Sequence, residues 1–352
     1  MRLARIVELA NQLEQNIETL GLRPGDAYPH TEQIARKLGI STSAANGALR
    51  VLAQRGILDR RPRRGTVIVR LPGDLPRSAL HRVHLLVHRE YLQMEGLLAD
   101  GLLIGLQGEL PGAEMQFNFI PVIEGAQFAS QLFAQVLRSR DPEGFVLIRA
   151  PMAIQRAVGG SGLPAVIFGR LQPSVEGMPW IDRDHRQIAR LAAAHLLAHR
   201  CRRVVALFRA EMGPGDFLLL DALQQSWAAA GLGLGDLVVR CLPADHEAAR
   251  HGVAAVLQAS RRSTGILCRS QLLAEGAAAA AAALGRRVRI VVSDVYRKPS
   301  EPEPVFPYAR SLLTAEEIGR HIGRMLVQQA RGEKVDPQQE VIPVALQVPG
   351  DT

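Results

Sequence analysis

PGDAYPHTEQIARKLGISTSAANGALRVLAQRGILDRRPRRGT, residues 24–66, decides the fold of the first part of the chain. Pro24-Gly25-Asp26, with Pro29 after it, reads as a turn. Thr31 is placed to N-cap a short helix, TEQIARKLG, whose Ile34, Ala35 and Leu38 share one face and which Gly39 closes. Ser41 or Ser43 caps the next helix, STSAANGALRVLAQRG, with Ala45, Ala48, Leu49 and Leu52 inward and Gly56 at its end. Between the two helices lies only Leu38-Gly39-Ile40-Ser41, a turn of the length that sets one helix across another. ILDRR and TVIVR then read as two short strands around Pro62-Arg63-Arg64-Gly65.

On the N-terminal side, Ile6, Leu9, Ala10, Leu13, Ile17 and Leu20 recur at three- and four-residue steps. That is an amphipathic helix of about five turns, and Gly21 ends it. Helix, helix, tight turn, helix and hairpin make a winged helix-turn-helix, an α+β unit over residues 1–71. Its third helix would present Ser41, Thr42, Ser43 and Asn46 to a major groove, with Thr31, Arg50 and Gly65 flanking and Arg63 and Arg64 at the wing tip. Short hydrogen-bonding side chains suit bases or phosphates, and the wing arginines suit phosphates or an adjacent minor groove.

The charge agrees. The chain has 352 residues and a formal net charge of +8. Residues 1–74 hold twelve basic and seven acidic side chains, a net of +5, while the other 278 are nearly balanced at +3. All but three of the 42 basic residues are arginine. A basic excess of this kind points to an anionic partner, and its concentration around a wing points to double-stranded DNA rather than a membrane.

Composition excludes other classes. The longest apolar run, near Ala277–Leu284, is far short of the roughly 20 residues of a spanning helix. The N-terminus has no apolar stretch of the signal-peptide kind. Cys201, Cys241 and Cys268 are scattered and odd in number, which indicates neither a disulfide framework nor a zinc site. A cytoplasmic location is the expectation.

At this point residues 24–66 resemble the GntR family of bacterial regulators, whose pattern is PGDxLPSExxLAxxLGVSRxTVRxALxxLxxxGLIxxxxGRGT. The spacing is kept without a gap. The family's arginine after PSE is Glu32 here, its two recognition-helix arginines are Thr42 and Asn46, and the first glycine of its GRG is Arg63, with Arg64 and Gly65 kept. Basic charge has therefore moved from the third helix to the wing. The resemblance implies DNA binding, specific or weak; a degenerate head that only dimerises is the other reading.

After a polar, proline-containing linker at residues 72–82, residues 83–349 alternate short apolar strands with helical runs. VHLLV, MQFNFIP, GFVLIR, PAVIFGR, RVVALF, LVVRCLP, GILC and RIVVSD read as strands. The helices include Phe128–Arg138, Arg186–His199, Leu218–Ala230, Glu247–Ser260 and Leu272–Leu284. Alternating β and α implies parallel sheets with right-handed crossovers, and this length suits two doubly wound α/β subdomains with a cleft between them.

This half resembles the effector domain of the LacI family, which shares its fold with periplasmic binding proteins. DHRQIARLAAAHLLAHRCRRVVALF, TGILCRSQLLAEGAAAAAAALG and the segment from Arg289 to Glu333 carry the likeness. A winged GntR-type head on a LacI-type body is the architecture of arabinose-repressor-type regulators. The resemblance implies a homodimer whose cleft binds an effector, a sugar, lined by Arg149, Arg170, Asp184, Ser270 and Asp294. The family's Asn-Asp after the strand is Ser270-Gln271 here, and its sugar-contacting arginine pair falls on Phe217 and Leu219, so the ligand is changed or lost. With only 15 aromatic residues, a stacked-sugar platform is not obvious.

Other signals are set aside. Gly231–Gly235 (GLGLG) follows a helix rather than a strand, so it reads as a loop and not a dinucleotide turn. His246 and His251 are five residues apart, not the four that put two ligands on one helical face. Gly159-Gly160-Ser161-Gly162 has no nucleophile-elbow pattern. Neither a cofactor, a metal nor an enzymatic activity is expected. The expectation is a transcriptional regulator, a repressor, answering to a small molecule. The alternative is a ligand sensor with a vestigial head.

Overall fold

Leu9, Ala10, Leu13 and Ile17 are buried, as the spacing of the first apolar stripe requires. The structure, a computed structural model, describes residues 2–54, 57–61, 65–69, 71, 79–88, 99–121, 125–139, 141–243, 245–293, 295 and 304–350. Arg63 and Arg64 at the expected wing tip, linker residues 72–78 and Asp294 lie outside the described residues.

The head comprises α1 (Arg2–Thr19), β1 (Ala27–Tyr28), α2 (Thr31–Leu38), α3 (Thr42–Gln54), β2 (Leu58–Arg61) and β3 (Gly65–Ile68). The stripe of α1 packs with Ala45, Leu49 and Leu52 of α3 and with Ile57 and Ile68 of the hairpin. Gly39 closes α2 in the left-handed conformation, φ 61°. Two details depart from expectation. The cap of α2 is His30, whose backbone N–H donates to Gln33 Oε1 at 3.1 Å, so Thr31 lies inside the helix with its hydroxyl available elsewhere. Ala27 and Tyr28, read as part of a turn, pair antiparallel with Val67 and Thr66 as a third strand. Two residues are too few to show a period, and only the partner strand defines them.

Two six-stranded sheets form the body. The first contains β4 (Arg82–His88), β5 (Glu114–Ile120), β6 (Glu143–Ile148), β7 (Ala165–Phe168), β8 (Trp180–Arg183) and β14 (Gln339–Ile342), all parallel in the order β14-β8-β7-β6-β4-β5. Its helices are α4 (Ala99–Glu109), α5 (Gly125–Val136), α6 (Met152–Gly159) and α11 (Ala315–Ala330). The second contains β9 (Arg203–Arg209), β10 (Leu237–Leu242), β11 (Thr264–Cys268), β12 (Val288–Val292), β13 (Tyr308–Ser311) and β15 (Val344–Gln347), in the order β10-β9-β11-β12-β13-β15. Only the β13–β15 pair is antiparallel. Its helices are α7 (His185–Ala198), α8 (Pro214–Ala229), α9 (His246–Gln258) and α10 (Gln271–Ala283).

Each sheet is covered on both faces, which is why its central strands read as continuous apolar runs. In β4 and β6, Leu85 and Val146 face the helices α4 and α11, while Leu86 and Leu147 face α5 and α6. In the second lobe, Val204 and Ala206 face α7 and α8, and Val205 and Leu207 face α9 and α10. Trp227 fills the core under α8, and GLGLG is a loop with a short 3₁₀ turn after that helix.

The eight strands legible in the sequence are β4–β7 and β9–β12. The other four are only four residues long. They make the lobes discontinuous in sequence. The chain leaves the first lobe after β8 and returns with α11 and β14. It then passes through Pro343 alone into β15 of the second lobe. The three crossings are tied together: Asp184 N–H donates to Ile342 O (2.9 Å), Leu312 N–H to Pro343 O (3.0 Å) and Val344 N–H to Gln187 Oε1 (2.9 Å).

The helix α11 is seated closely on α4. A Cβ at Gly105 would stand 2.1 Å from the carbonyl oxygen of Glu316, and one at Gly319 would stand 2.1 Å from that of Leu102. Only glycine allows this approach. Thr314 caps α11 reciprocally with Glu317: Thr314 N–H donates to Glu317 Oε2 at 2.7 Å, and Glu317 N–H to Thr314 Oγ1 at 3.2 Å.

Candidate functional site

Two surfaces carry the expected chemistry. On the head, Thr42, Ser43 and Asn46 are exposed along the first turns of α3. Ser41 Oγ accepts from the backbone N–H of Ala44 at 3.2 Å, so this serine caps the helix and keeps its O–H to donate outward. Arg60, on β2, joins two of the expected contacts: its Nη2 donates to Asn46 Oδ1 at 2.9 Å and to Thr31 Oγ1 at 3.4 Å. It holds the Asn46 amide against the wing sheet. Arg60 belongs to the arginine run of the wing, but no local spacing singles it out. Gly65 begins β3 with φ 89°. Arg50 lies on the same helix, further along, where its Nη2 meets Glu316 Oε2 of α11 at 2.9 Å.

The second surface is a cavity of about 270 Å³ between the lobes. It lies where the carboxyl ends of both sheets meet, the place at which doubly wound folds take ligands. Arginines from five strand ends reach it. Arg149 follows β6, Arg170 follows β7 by two residues, Arg183 ends β8, Arg209 ends β9 and Arg269 follows β11. The starts of α6 and α8 complete it, with Pro151 and Met152 on one side and Gly213, Pro214 and Gly215 on the other. Arg149 is held in the left-handed region, φ 53°, a conformation that costs a non-glycine residue on the order of 1 kcal/mol and is often found at ligand sites.

Two carboxylates organise these cations. Asp216, buried at the start of α8, is ion-paired with Arg269 Nε, and its other oxygen accepts from the Gly213 N–H at 2.9 Å. Burial pushes this carboxyl up, but Arg269, the Gly213 amide, Arg209 and Arg149 outweigh that and hold it below the ordinary carboxylate range. Arg269 also donates to Ser293 Oγ at 3.2 Å. Across the cavity, Asp182 accepts from the Arg183 N–H at 2.9 Å and faces His185 Nε2 at 2.9 Å. Burial raises its pKa too, and His185, Arg183 and Arg170 bring it below the ordinary value. Arg170 lies 3.9 Å over the Trp180 ring, with its Nε 3.6 Å from Asp182. Burial lowers the Arg170 pKa, and Asp182 and Asp184 only partly offset this. Beneath them Gln155 fixes the loop, donating to Ala150 O and Arg170 O and accepting from the Gln172 N–H.

Of the expected effector residues, the structure brings Arg149 and Arg170 together in this cavity. Asp184 caps α7, accepting from the Gln187 N–H at 2.8 Å, and lines a separate open groove beside the lobe crossings with Arg190, Val341 and Pro343. Ser270 is buried as the cap of α10, where its hydroxyl accepts from the Leu273 N–H at 3.4 Å; its neighbour Arg269 enters the cavity instead. Arg183, Arg209, Arg269, Asp182, Asp216 and His185 were not expected there. A signal existed: the strands GFVLI, AVIF, WID, RVVALF and GILC are each followed, at once or after one glycine, by arginine.

Residues 6–68 match the family model described as bacterial regulatory proteins, gntR family. No curated protein matches the chain in sequence. Among solved structures, a transcriptional regulator CelR in complex with cellobiose superposes with a TM-score of 0.64 at 18% identity, covering 91% of this chain and 99% of that one. A LacI-family regulatory protein from Chloroflexus aggregans gives 0.63 at 20% identity, covering 76% and 96%. A LacI-family transcriptional regulator from Enterococcus faecium with bound ribose gives 0.58 at 15%, with the same coverage. The class is thus a GntR-type winged helix-turn-helix head on a body with the two-lobed fold of LacI-family regulators. Among the described residues no helix is long and apolar enough to cross a membrane, and no group of three or more His, Cys, Asp or Glu side chains could hold a metal ion.

Proposed function

We propose that the chain is a DNA-binding transcriptional regulator of the cytoplasm, a repressor, and that a sugar-class small molecule in the interlobe cavity sets its operator affinity. The observation that supports this reading is the presence, in one chain, of a GntR-type head and a two-lobed body whose strand ends converge on a polar cavity. Residues 1–71 are the reader, residues 72–82 the linker and residues 83–349 the sensor and dimerisation domain. Two copies place two heads on a pseudo-palindromic operator. Thr31, Ser41, Thr42, Ser43 and Asn46 meet one half-site, and Arg50, Arg63, Arg64 and Gly65 complete the contact. Ligand binding that differs between open and closed lobes changes the spacing of the heads, and only that difference in affinity drives the response. No catalysis is part of this reading. It is tested by gel shift against the DNA upstream of the chain's own gene over a salt series. A specific shift weakened by Arg64→Ala and Asn46→Ala supports it. No specific shift, or one that neither variant changes, refutes it and leaves a sensor with a vestigial head.

A further inference from the structure

Among the described residues, the lining of the cavity carries more cations than carboxylates. Among the described residues that line it, five guanidiniums face the carboxylates of Asp182, Asp216 and Glu211. Arg183, Arg209 and Arg269 are buried with their charge, Arg209 at 1% exposure, against two buried carboxylates. Taking cations out of water is costly unless negative charge accompanies them, and Asp182 and Asp216 each already serve more than one donor. Arg170 is fixed by stacking on Trp180, and its buried Nε has no hydrogen-bond partner, Asp182 standing 3.6 Å away.

A second orphan points to the other half of the ligand. His185 is buried and lines the cavity, and its Nδ1 has no hydrogen-bond partner. With Asp182 ionised, the 2.9 Å contact puts a proton on Nε2, and Nδ1 is left to bond the ligand. A hydroxyl, which can donate or accept, suits either form of the ring, and guanidiniums in a fork geometry suit a carboxylate or phosphate. The volume, about 270 Å³, is at the small end for ligand sites and fits one ring rather than two.

We infer that the effector is an acidic monosaccharide derivative, a sugar acid or sugar phosphate, whose anionic group is taken by the cavity arginines, Arg170 foremost, and whose hydroxyl hydrogen-bonds His185 Nδ1. This rests on the proposed function above and narrows its ligand. The chemistry that recognises the ligand is the same for carboxylate and phosphate, and the test separates them.

The experiment is calorimetric titration and thermal shift of the full-length protein with matched sets: glucose, gluconate, glucuronate and glucose 6-phosphate, and ribose with ribose 5-phosphate, at constant ionic strength. The expected result is binding of at least one acidic member, with its neutral parent at least tenfold weaker, and an affinity that falls as sodium chloride is raised. Arg170→Gln weakens the acidic ligand at least tenfold, with the circular dichroism spectrum intact. Where that variant does not fold, the salt dependence of the wild type decides. Gluconate or glucuronate binding names the carboxylate arm, and glucose 6-phosphate or ribose 5-phosphate the phosphate arm. Equal or tighter binding of a neutral parent overturns the inference, as does no binding by any acidic member. A gel shift released by neutral sugar alone would overturn it while leaving the regulator reading intact, whereas loss of the specific shift would remove that reading itself.

Discussion

The head and the cavity use the same residue in opposite ways. On the head, Arg50 is about half exposed and meets one distant carboxylate, and Arg60 bonds neutral oxygens of Asn46 and Thr31. In the cavity, Arg183, Arg209 and Arg269 are buried among carboxylates that are themselves buried. An exposed cation in water is cheap to keep and cheap to lose; a buried one is neither. The head can therefore hold basic charge ready for an outside anion, while the body must build much of the counter-charge into its own walls. The difference also sets the pH behaviour. The body depends on ionised carboxylates, whereas among the described residues of the head the buried titratable group is Tyr28, whose hydroxyl donates to Leu13 O at 3.4 Å and which burial pushes up to about 12.

The largest effect should come from Asp216→Asn, which keeps the shape but removes the charge that compensates Arg269. Breaking a buried pair costs about 3–5 kcal/mol, read as a lower midpoint in urea. A loss below about 1 kcal/mol would break the contrast. The acid limb has the same origin. Asp182 and Asp216 have folded pKa values below the ordinary one of about 3.9, so their contribution is complete above that value and is lost as pH falls through the folded pKa. The body should unfold in acid more readily than the head, followed by tryptophan fluorescence, since Trp180 and Trp227 are both in the body.

Next comes alkali. Tyr28 keeps its proton in the folded head while the unfolded chain loses its own near pH 10, so stability falls between pH 10 and about 12 by at most about 2–3 kcal/mol. Tyr28→Phe should abolish that limb, seen by far-ultraviolet circular dichroism. A limb unchanged in the variant would assign it elsewhere.

Smaller still is Arg60→Ala. Losing two exposed or half-exposed hydrogen bonds should cost stability about 1 kcal/mol or less, yet operator affinity should drop several-fold because Asn46 loses its support. A large stability loss with unchanged DNA binding would reverse the roles. Arg50→Ala should be the mildest: a solvent-exposed ion pair contributes about 0–1 kcal/mol and less at high salt. A double-mutant cycle with Glu316→Ala measures it.

Much of the head was legible because its signals are local. The stripe Leu9–Ile17 and the αL glycine Gly39 each act within a few residues, and so does the Ser41 cap. The central parallel strands were legible because burial on both faces makes them apolar runs, even in the four residues of β7. The short strands β8 and β13–β15 were not, since four residues that include polar ones carry neither a run nor a decisive period. The cavity was half legible: Arg149 and Arg170 follow strands visible in the sequence, while Arg209 and Arg269 follow equally visible ones but gained meaning only when the sheets faced each other. Asp216 in isolation is an ordinary first-turn acid of a helix. Nothing near it in sequence reveals that Arg269 lies against it.

The interleaving of the lobes has a consequence for synthesis. The first lobe begins at β4 but lacks a helix and a strand until residues 315–342 exist, and the second lacks its edge strand until residue 347. Both halves of the body are therefore completed within a few residues of each other, at residues 342 and 347. The head, contiguous from α1 to β3, can form on the ribosome while the rest is still emerging. Until residues 315–342 arrive, the nascent body exposes the apolar face of α4 that α11 will cover and the backbone edge of β8 that β14 will pair. Exposed apolar surface and an unpaired strand edge are what chaperones shield, and both persist in the body until those residues are made.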